Sequence, residues 1–365
     1  MNLEKAIIGF IGAGGIAKSH AFSLSTLHYY YDDSPEIKLE SVTSATIESR
    51  SSFATRFGFS KAPDMDEFVA DKNINTVFIL GPNKVHYEHL KSAIEMTSVK
   101  RIYLEKPVCS NIDEEQAIIE LIRKHPGVRI QIGFQYLYTS VVREALALWR
   151  SGKFGKPVHF DLKYYHSDYL KKEYRDKRKS RLTPAPDGGA MADLGSHMIS
   201  LLIAFLGNGV TITSALQSGR FDDVVPDSDL FSLISLYDDV TRSVGTISSS
   251  RISSGTGDFI SFELYAEKGA VKFSSASPDS FDYYLEESGT WNKQITGSNY
   301  KPYSSFPSAH VPPGWLRSMI HAHYVFLTDS DNEAIIPDIN HGLAVQRLVR
   351  QTAEYLNKFR SLTSE

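Results

Sequence analysis

The 365-residue chain is 42% hydrophobic and 22% charged, which is typical of a folded protein with a large core, and its length favours two domains. Its formal net charge of −4 predicts no basic surface for nucleic acid, so we expect a small molecule or another protein as partner. The chain has a single cysteine, Cys109, which we expect to be a buried structural thiol. It has no membrane-length apolar run and no signal-peptide pattern, so we expect a cytoplasmic protein without a membrane partner.

Strand-like and helix-like segments alternate over the first third of the chain. The predicted strands are 5–12, 37–44, 75–81, 101–106 and 128–134. The predicted helices are 17–27, 48–58, 65–71, 85–96 and 111–125, the last with Asn111 as its N-cap. Apolar strands in strict alternation with helices predict a doubly wound parallel sheet with helices on both faces.

The pattern changes near residue 131. A predicted helix at 139–152 leads into a strand at 157–166, and strand-like runs joined by short polar turns occupy 210 to about 290. Residues 291–313 are predicted to be a loop, and two helices, around 314–330 and 340–360, end the chain. We therefore expect an α/β protein whose second domain, 131–365, contains a large, mainly antiparallel open sheet.

A glycine cluster follows the first predicted strand. Residues 12–17, GAGGIA, fit the pattern G-x-G-x-x-G/A, in which glycine permits a tight turn and a close approach to a pyrophosphate at a helix N-terminus. This context predicts a Rossmann dinucleotide-binding domain over 1–130, with a purely structural turn as the alternative. The predicted cofactor contacts are Gly12, Gly14, Gly15, Ile16 and Ala17.

The end of the second strand bears on the choice between NAD and NADP. An acidic residue there would accept a hydrogen bond from the ribose 2′-hydroxyl, but this chain has Ser44 and Thr46, with Arg50 one turn later. Without a carboxylate to repel a 2′-phosphate, the cofactor is predicted to be NAD(P), with NADP slightly favoured. The alternative is a solvated strand end with an unrelated surface arginine.

Five further motifs complete a recognisable series: PNKVH at 82–86, EKP at 105–107, GFQY at 133–136, GKFGKP at 152–157 and GGAMADLGSH at 188–197. In this order the sequence resembles the Gfo/Idh/MocA oxidoreductases, typified by glucose–fructose oxidoreductase and inositol 2-dehydrogenase. The resemblance implies an open C-terminal sheet that forms the interface of a homodimer or homotetramer, and no metal site is predicted. It also implies cofactor contacts at Pro82, Asn83, His86, Glu105, Lys106 and Gln135.

The resemblance implies three catalytic residues. Lys106 would lie near the nicotinamide and substrate, where a cation can stabilise a developing alkoxide. Asp193 and His197 are four residues apart, on one face of a helix, and His197 would be the acid/base that takes the proton of a substrate hydroxyl. The alternatives are an N-cap for Asp193, a core histidine for His197 and a solvated turn for Lys106.

The substrate pocket departs from the family pattern, because Leu137, Ser200 and the segment before Gly188 differ from the usual residues. A sugar or polyol is still expected, and a solvated lid is the alternative interpretation of the aromatic run at 164–169. His321 and His323 either face the cleft or are buried in a helix. The predicted substrate contacts are Lys106, Tyr165, Arg181, Asp193 and His197, with Tyr164, His166 and Tyr169 as further candidates.

Together these features predict an NAD(P)-dependent dehydrogenase acting on a secondary alcohol of a sugar, cyclitol or related polyol. Two alternatives share the fold. One is a non-catalytic NAD(P)-binding regulator or sensor that binds a partner protein, and the other is a glycoside hydrolase that uses transient oxidation by a tightly held NAD.

Overall fold

The computed structural model describes residues 4–182, 188–219, 221–223, 228–297, 314–328 and 333–363, without the side chains of Ser180 and of 357–363. Two compact units are present within these ranges. The first takes in the described residues up to Thr139 and those from 314 to Gly342. The second takes in the described residues from Ser140 to 297 and from Leu343 onwards.

The sheet of the first unit is parallel, with strand order β2-β1-β3-β4-β5. Its central residues Phe10, Phe78 and Tyr103 are fully buried, as expected where helices cover both faces. The strands are β1 (Ala6–Ile11), β2 (Ile37–Thr43), β3 (Thr76–Ile79), β4 (Arg101–Leu104) and β5 (Arg129–Ile132). The helices are α1 (Gly15–Ser25), α2 (Leu27–Tyr30), α3 (Ile47–Phe57), α4 (Met65–Val69), α5 (His86–Ile94) and α6 (Ile112–Lys124). The predicted alternation is confirmed, and only the short α2 was not predicted.

The predicted start of α6 is confirmed in detail. The Asn111 side chain accepts a hydrogen bond from the Glu114 N–H at 2.9 Å, and the Glu114 carboxylate accepts from the Ser110 N–H at 2.7 Å. These two bonds satisfy backbone donors that the helix itself leaves unpaired. A local sequence signal was therefore sufficient to locate this helix.

The second unit contains an eight-stranded sheet with strand order β13-β12-β11-β10-β6-β9-β8-β7. All of its pairs are antiparallel except β6 with β9. The strands are β6 (Pro157–Tyr165), β7 (Val210–Ser218), β8 (Phe231–Asp238), β9 (Val244–Ser250), β10 (Phe259–Ala266), β11 (Gly269–Ser274), β12 (Ser280–Leu285) and β13 (Thr290–Ile295). The helices are α7 (Ser140–Arg150), α8 (Lys172–Asp176) and α9 (Ser196–Leu206). The predicted α/β fold class, with a parallel and a mainly antiparallel sheet, is confirmed.

Strand β13 corrects one prediction. Residues 291–313 were expected to form a loop, but Thr290–Ile295 pairs antiparallel with β12. Its side chains are exposed or half-buried, so the strand carries no buried apolar pattern in its sequence. The strand depends instead on backbone pairing with its neighbour, and 298–313 lie outside the described residues.

Two closing helices confirm the prediction at the end of the chain: α10 (Trp315–Thr328) and α11 (Ile339–Thr363). Helix α10 belongs to the first unit and packs there against α1. The Gln131 side-chain amide of β5 also donates to the Ala322 carbonyl of α10 at 3.1 Å. Among the described residues, no helix combines the length and the hydropathy needed to cross a bilayer.

Candidate active site

A cleft of about 770 Å³ opens in the first unit where β1, β2 and β3 end. Because β2 and β3 lie on opposite sides of β1, this is the switch point of the sheet, where open α/β folds bind ligands. The lining residues are Ile11, Gly12, Ala13, Gly14, Gly15, Ile16, Thr43, Ser44, Ala45, Thr46, Ser49, Arg50, Asp64, Met65, Leu80, Gly81, Pro82, Val85 and His89.

The glycine cluster gives this cleft a floor that fits a pyrophosphate. Gly12 has a φ of +126°, and a Cβ there would lie 2.6 Å from the Leu80 carbonyl carbon. By contrast, a Cβ on Gly14 or Gly15 would meet no protein atom within 4 Å, so their backbone borders open space. Helix α1 begins at Gly15 with no side-chain cap and no acidic residue in its first turn. Its N–H groups are therefore available to an anion.

The side of the cleft next to the end of β2 carries an arginine held by two backbone carbonyls. The Arg50 guanidinium donates through Nε to the Ala62 carbonyl at 3.1 Å and through Nη1 to the Ser44 carbonyl at 3.3 Å. The Thr46 hydroxyl caps α3 by accepting from the Ser49 N–H. Asp64, which sequence reasoning missed, also lines the cleft and caps α4.

The other predicted cofactor residues do not all line this cleft. Pro82 does, but Ala17, Asn83, His86, Glu105, Lys106 and Gln135 are absent from its lining among the described residues. His86 is buried, with Nδ1 2.6 Å from the Pro107 carbonyl oxygen and Nε2 3.0 Å from that of Gly81. It joins the loops that follow β3 and β4, and burial lowers its pKa. Gln135 is also buried, with its amide between the Gly133 carbonyl and the Trp315 indole N–H.

A buried chain of side chains leads away from Glu105. Glu105 Oε1 lies 3.0 Å from His20 Nε2, and His20 Nδ1 lies 2.8 Å from His323 Nε2. Burial holds the pKa of His323 well below its usual value. His321 is equally buried and contacts the Tyr31 hydroxyl. The helix-burial alternative for His321 and His323 is therefore confirmed. Lys106, the next residue after Glu105, precedes a cis peptide bond to Pro107.

The second unit holds the other two predicted catalytic residues. Asp193 lies in a π-helical turn, Met191–Gly195, that runs directly into α9. Its Oδ2 accepts from Arg251 Nη2 at 2.9 Å. The N-cap alternative for Asp193 is wrong, because Asp193 lies inside the turn and Ala190 precedes it. His197 is buried in the first turn of α9, with its ring 5.8 Å from that of Tyr164.

The predicted substrate residues on β6 divide between the two faces of the sheet. Tyr164 is buried beside His197, and its hydroxyl donates to Asp258 at 3.0 Å. Tyr165, the next residue, points to the opposite face, where its hydroxyl lies 2.6 Å from the Ser248 hydroxyl. Arg181 is exposed at the end of a short 3-10 helix. The structure therefore brings Tyr164, rather than Tyr165, next to His197.

Sequence reasoning missed two buried charged residues in this unit. Arg251 directly follows β9 and is fully buried. Asp229 is also buried, accepts at Oδ2 from the Met191 N–H at 3.2 Å, and approaches Gly189 so closely that a Cβ there would lie 2.5 Å from Oδ2. Gly189 has a φ of +83°, which also favours glycine. The available signal for Arg251 was its position directly after a strand-like run, here β9.

Cys109 is buried, as predicted. Among the residues that the structure describes, no cluster of three or more His, Cys, Asp or Glu side chains could hold a metal ion.

A glycine turn at the switch point of a parallel sheet defines a dinucleotide-binding domain, joined here in one chain to a large mainly antiparallel sheet. Relatives named as dehydrogenases of sugars and inositol place the chain among the NAD(P)-dependent dehydrogenases. Comparison with protein families agrees. Residues 7–134 match the model of the oxidoreductase family with an NAD-binding Rossmann fold, and residues 142–272 match a Gfo/Idh/MocA C-terminal domain. The chain belongs to the Gfo/Idh/MocA oxidoreductase family.

Characterised relatives are distant but similar over most of their length. The chain is 25% identical to glucose-6-phosphate 3-dehydrogenase of Bacillus subtilis, over 74% of this chain and 75% of that protein. It is 24% identical to inositol 2-dehydrogenase of Acidothermus cellulolyticus, over 74% and 73%. A solved structure of levoglucosan dehydrogenase with NADH and levoglucosan superposes with a TM-score of 0.85 at 21% identity, covering 97% of this chain and 98% of that one. At this identity, the structural match shows the fold.

Proposed function

We propose that this dehydrogenase oxidises a secondary CH–OH group of a sugar, cyclitol or related polyol. The names of its relatives support this substrate class, since they act on a sugar phosphate, inositol and levoglucosan. When bound, a nicotinamide cofactor accepts hydride from the carbon that carries the hydroxyl. The remaining chemistry belongs to the side chains of this chain.

In this proposal, Lys106 and His197 divide the work on the substrate oxygen. The Lys106 ammonium stabilises negative charge that develops on that oxygen. The His197 imidazole takes the hydroxyl proton, a task that suits a group whose ordinary pKa is near neutrality. Asp193 supports the positive charge that His197 then carries.

One observation carries the assignment. Four residues before His197, a π-helical turn presents a carboxylate that a buried guanidinium holds at 2.9 Å. Turns of this type are frequent at functional sites. An ordinary aspartate on a solvated helix end would not need a buried guanidinium as its partner.

The test is turnover on glucose 6-phosphate, myo-inositol, levoglucosan and other polyols, followed as reduced-cofactor absorbance. His197→Ala is expected to lower kcat about 100- to 10,000-fold because the proton acceptor is lost. Lys106→Ala is expected to lower it about 100- to 1,000-fold because the alkoxide loses its cation. Fluorescence titration should show the wild-type dissociation constant for NADH in His197→Ala, and a change much smaller than the loss of kcat in Lys106→Ala, which removes one implied cofactor contact. His159→Ala and Lys124→Ala, at exposed positions, are the matched controls.

Three outcomes would count against the proposal. Wild-type turnover in His197→Ala or Lys106→Ala would overturn the assigned roles. Release of free sugar from a glycoside without net cofactor reduction would identify a hydrolase. NADH binding with no turnover on the whole panel would favour a regulator or sensor.

We also propose a slight preference for NADP over NAD. Support comes from the absence of a carboxylate at the end of β2 and from Arg50, which lines the cleft and is anchored by two backbone carbonyls. Paired titrations with NADH and NADPH test this preference. A strong preference for NADH would contradict it.

The same proposal includes a cytoplasmic homodimer or homotetramer that associates through the second sheet. Exposed apolar side chains on five of its strand positions support an interface there: Val158, Leu216, Val244, Trp291 and Ile295. Light scattering after gel filtration measures the oligomeric state, and a monomer at micromolar concentration would contradict it.

A further inference from the structure

Arg251 has an unusual position for a charged side chain. It is fully buried at the end of β9, and its guanidinium divides its contacts between two acceptors. Nη2 donates to Asp193 Oδ2 at 2.9 Å, and Nη1 donates to the Arg181 carbonyl oxygen at 2.6 Å. The guanidinium therefore connects the π-helical turn to the 3-10 helix at Lys179–Arg181.

The Arg251 and Asp193 side chains differ in exposure, as expected if Arg251 supports Asp193 from the interior. The Arg251 side chain is 1% exposed, whereas the Asp193 side chain is 24% exposed. Burying a guanidinium is costly unless it is paired and hydrogen-bonded, so the cation lies beneath the carboxylate and the carboxylate keeps an accessible side. A carboxylate arranged in this way has a fixed orientation and a solvent-accessible side.

Surrounding groups leave Arg251 little freedom. Its guanidinium carbon lies 4.7 Å from the centre of the Tyr169 ring. Its backbone N–H donates to the Leu230 carbonyl at 2.8 Å, and its carbonyl accepts from the Tyr169 N–H at 3.1 Å. A side chain held at both the backbone and the planar head can transmit a fixed position to Asp193.

The turn that carries Asp193 is held separately at its start. The Ala190 N–H donates to the Asp229 carbonyl at 3.1 Å, and the Met191 N–H donates to Asp229 Oδ2 at 3.2 Å. Asp229 thus anchors the backbone of the turn, while Arg251 anchors the side chain of Asp193. The two supports have different functions, although both come from distant parts of the chain.

We propose that Arg251 is a positioning residue for catalysis, which acts through Asp193 on His197. The inference rests on the roles proposed above for Asp193 and His197. Its planar head reaches Asp193 and the Arg181 carbonyl at the same time, and a lysine ammonium, a point charge, cannot reproduce that geometry. Arg251→Lys therefore keeps the charge and loses the orientation.

A second arginine–aspartate pair in the same unit provides a matched control. Arg175 Nη2 lies 2.9 Å from both carboxylate oxygens of Asp223, and the two side chains are 6% and 26% exposed. The Arg175 guanidinium carbon also lies 4.0 Å from the centre of the Phe221 ring. This pair matches Arg251–Asp193 in burial, distance and aromatic contact, but it contains no proposed catalytic residue.

The experiment compares Arg251→Lys, Arg251→Met, Asp193→Asn, the double variant and Arg175→Lys, using the polyol with the highest turnover in the panel above. Arg251→Lys is expected to lower kcat about 10- to 100-fold because the carboxylate loses its fixed position. The KM should change less than kcat, and the dissociation constant for NADH should not change. Arg175→Lys is expected to keep wild-type kcat while lowering the urea midpoint of unfolding by a similar amount to Arg251→Lys.

The double variant distinguishes positioning from general stability. If Arg251 acts through Asp193, adding Arg251→Met to Asp193→Asn lowers kcat by less than about 2-fold, because coupled residues are not additive. The urea midpoints of the wild type, Arg251→Met, Asp193→Asn and the double variant form a second double-mutant cycle. This cycle needs no substrate, and we expect it to show that the two residues are coupled in stability. If Arg251→Met does not fold, Arg251→Lys in the wild-type and Asp193→Asn backgrounds replaces it.

The possible failures are distinct. If the kcat losses of the two single variants multiply, or if Arg175→Lys lowers kcat as much as Arg251→Lys, the positioning role is overturned and the proposed function survives. If Asp193→Asn keeps wild-type kcat, the role proposed for Asp193 fails and the inference fails with it, although the dehydrogenase activity stands. If no polyol is turned over, the proposed function itself fails.

Discussion

The glycine cleft of the first unit and the Asp193 turn of the second are built in opposite ways. The cleft floor comes from neighbours in sequence, Gly12 to Ile16, and its shape depends on side chains that are absent. The Asp193 turn depends on side chains that are present and distant, since Arg251 lies 58 residues further along the chain. Substitutions that add a side chain should therefore damage the glycine cleft, whereas loss of the partner side chain should damage the Asp193 turn.

This difference explains why the glycine cleft can be recognised from local sequence alone, whereas Asp193 is assigned only through the resemblance to a family and its supporting residue Arg251 is not assigned at all. A glycine turn on a strand–helix junction needs only local backbone geometry and one close approach, here to Leu80. An aspartate in a helical segment has many ordinary uses. The position of Asp193 inside the turn excludes a cap, and the ion pair shows that a distant arginine holds its carboxylate.

The largest effect expected from this comparison is at Gly12. Gly12→Val places a branched side chain at a φ of +126° against the Leu80 backbone. The strained backbone alone costs about 1–3 kcal/mol, and the clash adds to it, so both stability and NADH binding should be lost. Thermal unfolding and NADH titration measure the two losses.

Gly14→Ala separates the loss of cofactor binding from the loss of stability. Its new methyl group meets no protein atom within 4 Å, so the protein without cofactor should unfold at the wild-type temperature while NADH binds more weakly. Equal loss of stability in both variants would show that the two glycines do not have these separate tasks.

An intermediate effect is expected at Ser44. Ser44→Asp places a carboxylate in the cleft where a 2′-phosphate would bind, and like charges should lower NADPH affinity about 10- to 100-fold. NADH affinity should stay the same or rise, because the carboxylate can accept from the ribose hydroxyl. Paired fluorescence titrations check both values, with Ser44→Asn as the uncharged control. A parallel loss of both cofactors would contradict the proposed location of the ribose.

The smallest effect is a dependence of stability on pH in the first unit. Burial lowers the pKa of His341 to about 4, below the ordinary value, although Asp338 opposes the change. Between about pH 6.5 and pH 4 the unfolded chain therefore binds a proton that the folded chain refuses, and stability falls as the pH falls. The slope from this residue is at most about 1.4 kcal/mol per pH unit.

Urea unfolding at pH 7 and pH 5 measures that slope. His341→Asn is expected to reduce the loss of unfolding free energy between the two pH values, whereas His159→Asn, at an exposed position, is expected to leave it unchanged. An unchanged slope in His341→Asn would show that other groups cause the acid sensitivity.

Features that depend on contacts between sequence neighbours were predicted correctly, and features that depend on distant residues were missed. Helix α6 was correct because its cap lies within four residues of its first turn. Strand β13 was missed because its mainly polar side chains, none of them buried, give no periodic signal and only pairing with β12 makes it a strand. The contact between His20 and His323 was not predicted because they are 303 residues apart, yet His20 Nδ1 lies 2.8 Å from His323 Nε2 inside the first unit.

By itself, the amino-acid sequence determined the class of the fold, the glycine cleft and the family, because alternating strand and helix patterns and short motifs act through neighbouring residues. The tertiary structure alone decided which side chains support them: His20 behind Glu105, Asp229 beneath Gly189 and Arg251 beneath Asp193. The physical reason is that a buried charge needs a partner, but nothing in the spacing of a sequence says which distant residue supplies it.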